Sequence, residues 1–197
     1  ISTIELLEIG AGGGSIADID ALGLLKVGPR SAGAAPGPAC YGRGGAHATV
    51  TDANLVLGFL DPSTFAGGTM TIERAKAEAA IKPLAEKSGL SVAAIAWGIH
   101  SVVNENMAAA ARVHVAERGH HASQFALLAT GGGGPLHACE VAKRLGIAKV
   151  ICPPSAGVAS ALGLLMAPAR VDRVATLARK LGELDWSAFE RAFRDIE

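Results

Sequence analysis

The chain has 197 residues, enough for one large domain or two small ones around a substantial core. Half of them are hydrophobic but only 4% are aromatic, and 25 are glycine, the aliphatic and sharply turning composition of an α/β protein. Eighteen basic residues balance eighteen acidic ones, no apolar run reaches the ~18 residues of a spanning helix, and Cys40, Cys139 and Cys152 have no CxxC spacing, so nothing suggests nucleic acid or membrane as partner, and a reduced, cytoplasmic setting is expected.

The chain opens on Ile rather than Met and runs straight into a predicted strand over Ile4 to Ile9, which reads as an internal start: a fragment, a processed chain or a partial one. Gly10-Ala11-Gly12-Gly13-Gly14-Ser15 follows as a tight turn, and Ile16 to Ile19 and Leu24 to Val27 are predicted strands. A strand, a glycine turn and a second strand make a hairpin suited to clamp phosphate, and the competing reading is a plain hairpin. The run ends in Ser15 rather than the third glycine of GxGxxG, which argues against a dinucleotide fold. Ser31 to Gly45 is a loop by virtue of Pro36, Pro38 and its small residues, and Tyr41 and Arg43 within it are candidates either for ligand contact or for surface packing.

Thr51 is expected to cap a helix beginning at Asp52. Asp52 and Asn54 then fall in the first turn, where their oxygens can serve Mg²⁺ through water, or can simply cap the helix. A second helix is expected over 71–88, with Ile72, Ala75, Ala79 and Leu84 inward and Pro83 as a kink. A third is capped by Ser91 and runs to about Arg118 with Ile95, Ile99, Val102, Ala109 and Val113 on its apolar stripe, closed by Gly119. Asn104 and Asn106 interrupt that stripe as hydrogen-bonded packing residues, and His120 and His121 are an exposed pair, not metal ligands.

The apolar run Phe125 to Ala129 is predicted to be a buried strand entering Thr130-Gly131-Gly132-Gly133-Gly134-Pro135, and a helix follows to Leu145. Four glycines at a strand-to-helix junction leave bare backbone and a helix N-terminus facing any ligand. Lys149 to Cys152 is a further strand, Pro153 to Val158 a rigid turn, and a helix runs to about Met166. A strand over 171–177 and an amphipathic helix opened by Asp185 and carrying Phe189, Phe193 and Ile196 complete the reading. The expected organisation is three parts: residues 1–60 with the phosphate hairpin, 61–122 as an inserted helical subdomain, and 123–197 with the second glycine turn and a C-terminal extension.

Several of these stretches in this order resemble the hydantoinase A/5-oxoprolinase family: Gly10 to Ala17, Val27-Gly28-Pro29 to Gly42, Thr49-Val50-Thr51-Asp52-Ala53-Asn54-Leu55-Val56-Leu57-Gly58, Glu117-Arg118-Gly119, Gly132 to Ala138, and Pro153-Pro154 to Gly163. The family includes ATP-dependent N-methylhydantoinase and oxoprolinase subunits and acetone and acetophenone carboxylase subunits. The resemblance implies an actin/hexokinase/Hsp70-like ATPase fold of two ribonuclease-H-like lobes, this chain being the second lobe. It implies that Gly12, Gly13, Gly14 and Ser15 bind phosphate, that Gly132, Gly133 and Gly134 bind adenosine, and that Asp52 binds Mg²⁺ or orients substrate; Glu8, ahead of the phosphate hairpin, is placed to orient the attacking group or a Mg²⁺ water, or else is an exposed strand carboxylate. The glycine turn before Pro135 has Gly133 where the family more often has Ala, and the family's first phosphate loop is absent from these residues, so the chain alone is expected to be inactive. The implied activity is ATP-dependent opening of a cyclic amide such as a hydantoin or 5-oxoproline through phosphorylation of its carbonyl, with a B-type subunit or domain and the first lobe as partners. Two alternatives stand beside it: the ATPase subunit of an acetone or acetophenone carboxylase, and a non-catalytic lobe that binds nucleotide or a partner.

Overall fold

The computed structural model describes residues 6–169, 171, 173–176, 178, 180, 182 and 185–196. They form a mixed α/β chain that divides into two compact units, Ile1–Ser160 and Ala161–Glu197.

In the first unit, β1 (Ser15–Ile19) and β2 (Leu25–Ser31) pair antiparallel, with an irregularity between Ser15 and Ala17. The hairpin predicted from Ile16 to Val27 is therefore present, and β2 runs four residues further. The described part of the strand predicted over Ile4 to Ile9, residues 6–9, is not a strand. The first two predicted residues lie outside the described set, and residues 6–9 have no ladder partner among those described. The first glycine run is consequently a loop leading into β1 rather than the tip of a hairpin.

Helix α1 (Val50–Val56) begins two residues earlier than the sequence suggests, because Thr49 rather than Thr51 is the cap. Thr49 accepts from the Asp52 backbone N–H while the Asp52 side chain accepts from the Thr49 backbone, a reciprocal capping box. α2 (Arg74–Ser88), by contrast, starts three residues later than expected and contains Pro83. Ala77, Ile81 and Ala85 form its buried stripe, whereas Ala75 and Ala79 are exposed and Ile72 is buried ahead of the helix. α3 (Val92–Ala116) is capped by Ser91 as predicted, its hydroxyl accepting from the Ala94 N–H at 3.1 Å. Its buried face is Ile95, Ala96, Ile99, His100, Val103, Asn104 and Ala108, and Val113, expected inward, is exposed.

One core unites β1, β2 and α1 to α3, through Ala17, Val27, Val50, Leu55, Ile81, Ile99 and Val103 among others. A smaller cluster of Ala108, Val141 and Leu145 joins α3 to α4 (Gly134–Leu145). β3 (Ala126–Leu128) and β4 (Lys149–Ile151) pair parallel. The sequence suggests a buried β3, but Phe125 and Leu128 are about half exposed, at 47% and 59%. α5 (Ala159–Met166) has its first two residues in the first unit and the rest in the second.

In the second unit the strand predicted over 171–177 includes residues outside the described set, and its described members form no strand. α6 (Trp186–Ile196) is the expected final helix, opened by Asp185, whose carboxylate accepts from the Ser187 N–H and hydroxyl. Trp186 and Phe189 meet edge to face on it, their rings 5.9 Å apart.

Candidate functional site

A cavity of about 820 Å³ lies in the first unit, and both glycine runs reach it: Gly13 and Gly14 from the loop before β1, Gly132 and Gly133 from the turn before α4. A volume of this size suits a ligand as large as a nucleotide. The remaining wall includes Tyr41, Thr51, Asn54, Phe59, Asp61, Leu136, His137 and Val158.

The first glycine loop is held from behind. Ser15 is buried, and its hydroxyl accepts from the Gly12 N–H at 3.0 Å. The Gly13 carbonyl accepts from both the N–H and the hydroxyl of Thr51, at 2.8 and 2.9 Å, and the Gly14 carbonyl accepts from the Ala32 N–H at 2.8 Å. Among the described residues no acceptor is paired with the Gly13 or Gly14 N–H. Two unpaired backbone donors at a cavity wall are the elements of an anion-binding nest. Of the four residues assigned to phosphate, the structure therefore brings Gly13 and Gly14 to the cavity, while Gly12 and Ser15 are engaged in shaping the loop.

The second glycine turn is the N-terminus of α4. The Gly131 N–H donates to the Ala156 carbonyl, and among the described residues no acceptor is paired with the N–H of Gly132, of the N-cap Gly133 or of Gly134 at the start of the helix. A Cβ placed on any of these three would meet nothing within 4 Å. Gly132 and Gly133 line the cavity, and Gly134 lies just beyond as the first helical residue.

Asp52 does not line the cavity. It is fully buried, and its Oδ2 accepts from the Thr49 N–H, the Thr49 hydroxyl and the Ala39 N–H at 2.9, 2.7 and 3.3 Å, while Oδ1 accepts from the Cys40 N–H at 2.8 Å. This carboxylate caps α1 and pins the loop at Ala39–Cys40. Burial, with Asp52 adjacent, pushes the Cys40 thiol well above its ordinary value, so Cys40 is an inert core residue. Glu8 is exposed and away from the cavity wall. Among the described residues no three His, Cys, Asp or Glu side chains cluster as a metal site.

Three side chains at the wall were not singled out from sequence. Asp61 brings the carboxylate, and Ser63 donates to its Oδ1 through both hydroxyl and N–H, at 2.7 and 2.8 Å, which holds its pKa below the ordinary value. Phe59 packs its ring 4.9 Å from His100. His137, one turn into α4, is buried and accepts at Nε2 from Asn54 Nδ2 at 3.4 Å, while its Nδ1 meets Asn104 Oδ1 at 2.8 Å. His100 Nδ1 meets Asn54 Oδ1 at 2.8 Å, and the two imidazoles stack at 5.0 Å. Burial, with His100 adding to it, lowers His137 to about 4, and burial lowers His100 as well. The expectation that Asn104 is a hydrogen-bonded packing residue holds for its carbonyl, but its buried Nδ2 has no partner among the described residues. Tyr41 reaches the cavity and packs against Phe65, and Arg43 instead contacts the Met70 sulfur at 3.9 Å. None of the helices, among the described residues, is long and apolar enough to cross a membrane.

The hydantoinase/oxoprolinase family model matches residues 1–173. The chain is 42% identical over 184 residues to the caprolactamase subunit alpha of Pseudomonas jessenii, covering 93% of this chain and 26% of that protein. It is 44% identical over 165 residues to the acetophenone carboxylase gamma subunit of Aromatoleum aromaticum, covering 83% and 22%. The crystal structure of an ATP-dependent caprolactamase from Pseudomonas jessenii superposes with a TM-score of 0.74 at 40% identity, over 95% of this chain and 28% of that one. The chain thus spans about a quarter of the length of the relatives it matches. With a family match over most of its residues and relatives above 40% identity, the chain belongs to the hydantoinase/oxoprolinase family.

Proposed function

We propose that this chain is the glycine-turn lobe of an ATP-dependent cyclic-amide hydrolase with an actin-like ATPase fold, and that the cavity of the first unit receives ATP. The observation that carries this reading is the convergence of Gly13, Gly14, Gly132 and Gly133, with their unpaired N–H groups, on one cavity of about 820 Å³. In this reading Gly13 and Gly14 donate to phosphate oxygens, and the bare backbone of Gly132 and Gly133 accepts the adenosine, with Phe59, Leu136 and Val158 as its apolar surroundings. Gly12, Ser15 and Gly134 hold the two turns in shape.

Mg²⁺ accompanying ATP needs only one or two carboxylates besides water and phosphate oxygens. Asp61 is at the cavity wall and fits that role, whereas the Asp52 oxygens are already occupied by four donors. Bound there, the ion would neutralise charge on the phosphates. Glu8 is proposed to lie outside the chemistry.

An amide is a poor electrophile. Transfer of the terminal phosphoryl group from ATP to its carbonyl oxygen, with ADP leaving, makes the carbon electrophilic to water. Collapse of the water adduct breaks the ring C–N bond, the nitrogen leaves with a proton, and hydrolysis of the resulting acyl phosphate gives carboxylate and phosphate. The protein's share is positioning and charge stabilisation by fixed backbone dipoles. The name of the caprolactamase relative supports a cyclic amide as substrate. The other wall of the cleft and the water-attack step are assigned to the rest of the protein and to a B-type partner subunit. The acetophenone carboxylase relative supports a second reading, phosphorylation of a ketone enol before carboxylation.

The deciding assay is phosphate release from ATP by the full-length protein with its partner. Release stimulated by hydantoin, 5-oxoproline or a lactam, with equal ring opening, is the expected result. Stimulation only by a ketone with bicarbonate would replace the hydrolase with the carboxylase.

A further inference from the structure

The sequence Thr51-Asp52-Ala53-Asn54 looks like a ligand set, yet the structure turns its polar groups into the protein in three directions. Thr51 holds the first glycine loop, with its N–H and hydroxyl both on the Gly13 carbonyl at 2.8 and 2.9 Å. Asp52 holds the loop at Ala39–Cys40. Asn54, one turn after Thr51 on the same helix face, meets His137 on α4, three residues past the second glycine turn. The carbonyl of Asn54 is fixed in turn by His100 of α3 at 2.8 Å, and His137 by Asn104 of α3 at 2.8 Å. Carbonyl oxygens only accept, so both histidine Nδ1 atoms carry the proton, and His137 Nε2 is left as the acceptor for the Asn54 amide. Every polar side-chain atom of Asn54 and His137 has a protein partner, although both residues line the cavity and the second N–H of the Asn54 amide is not used by these bonds.

We infer that α1 is a clamp that sets the separation of the two glycine turns: Thr51 fixes the Gly13 loop, Asn54 fixes α4 through His137, and both are positioning residues for whatever bridges the turns. This rests on the nucleotide reading only for the identity of the bridging ligand. A short helix is stiff, so two anchors one turn apart transmit a fixed distance between loops that have no side chains of their own to pack. The unpaired Nδ2 of buried Asn104 fits this role, since the amide is oriented by its bond to His137 at the cost of its own donor.

The test needs no nucleotide. Gly12 and Gly132 have open space around their Cβ directions, so Gly12→Cys and Gly132→Cys can carry spin labels in the full-length protein, with Cys139→Ser, Cys152→Ser and any other exposed thiol removed. Dipolar spectroscopy should give one narrow distance. That distribution should broaden or shift in Thr51→Val and in Asn54→Ala, and return in Thr51→Ser, which keeps the hydroxyl. Thr51→Val is nearly isosteric and keeps the backbone bond to Gly13, so it decides the matter if Asn54→Ala fails to fold. An unchanged distribution overturns the clamp. Mg-ATP titration of the same variants without labels should show affinity weaker by about tenfold or more in Thr51→Val, with recovery in Thr51→Ser. Equal affinity in a variant whose unfolding midpoint has merely fallen would leave Thr51 a structural residue and overturn the positioning role. If the unsubstituted protein binds no Mg-ATP while the distance still responds to Thr51→Val, the clamp stands and the nucleotide reading falls.

Discussion

Asp52 carries a carboxylate that no solvent reaches, and four protein donors converge on it. Removing it strands the N–H groups of Thr49, Ala39 and Cys40 in the core and breaks the capping box. Asp52→Ala should therefore lower stability by about 2–4 kcal/mol, since each buried donor left unpaired costs roughly 1–3 kcal/mol with partial relaxation. Thermal unfolding without nucleotide checks this, and an unchanged midpoint with lost turnover would return Asp52 to direct chemistry. His137 gives the second residue-scale prediction. Its folded pKa, about 4, lies below the ordinary 6.5, so the unfolded chain takes up the proton first. Its contribution is whole above pH 6.5 and is lost as pH falls toward 4, at up to about 1.4 kcal/mol per unit. His100, stacked on it and lowered by burial against the opposing influence of Glu140, acts in the same direction. The unfolding midpoint should drop between pH 7 and 5, and His137→Gln should shrink that drop; a variant with the same pH dependence would contradict it. Asp52 and Asn54 were visible in the sequence as first-turn oxygens, but ligand and cap use the same residue types. Thr49-x-x-Asp52 was the available sign that the carboxylate turns inward. The pairing of Asn54 with His100 and His137 spans 46 and 83 residues, and only the folded chain brings them together.

At the scale of elements, the glycine turns divide by what surrounds them. A Cβ on Gly13 would lie 2.7 Å from Thr51 Oγ1 and one on Gly14 2.7 Å from Ser31 Oγ, whereas one on Gly12 would meet nothing. Gly13→Ala should thus displace the Thr51 hydroxyl and weaken Mg-ATP binding by about tenfold or more, with Gly12→Ala changing it less than about threefold, as calorimetric titration of the full-length protein would read. Equal effects from the two substitutions would mean that the loop adapts and that its shape is not what binds. Elements with strong punctuation were legible: the hairpin after Ser15, the Ser91 cap, the strand-glycine-helix junction before α4 and the helix after Asp185. Inward faces were less so. α2 and α3 are rich in alanine, which is at home on either face, so Ala75 and Val113 fell on the predicted stripes and on the actual surface. Of the strand expected over Ile4 to Ile9, residues 6–9 have no ladder partner among the described residues, and a strand needs a ladder to exist.

For the whole molecule, composition and glycine placement were enough to suggest an α/β chain with two ligand-facing turns. The cavity they share also draws on Phe59 and Asp61, whose segment carried only turn signals. In the proposed function this cavity holds ATP. Gly133 has no neighbour within 4 Å of its Cβ direction and an ordinary backbone φ of −100°, so a large side chain there should fill the cavity without disturbing the fold. The most direct measurement is calorimetric titration of Mg-ATP into the full-length protein and its Gly133→Leu variant, with unfolding midpoints recorded alongside. Saturable one-site binding by the unsubstituted protein is expected, with affinity lower by about thirtyfold or more in the variant at an unchanged midpoint. Equal affinity in the two proteins would contradict it.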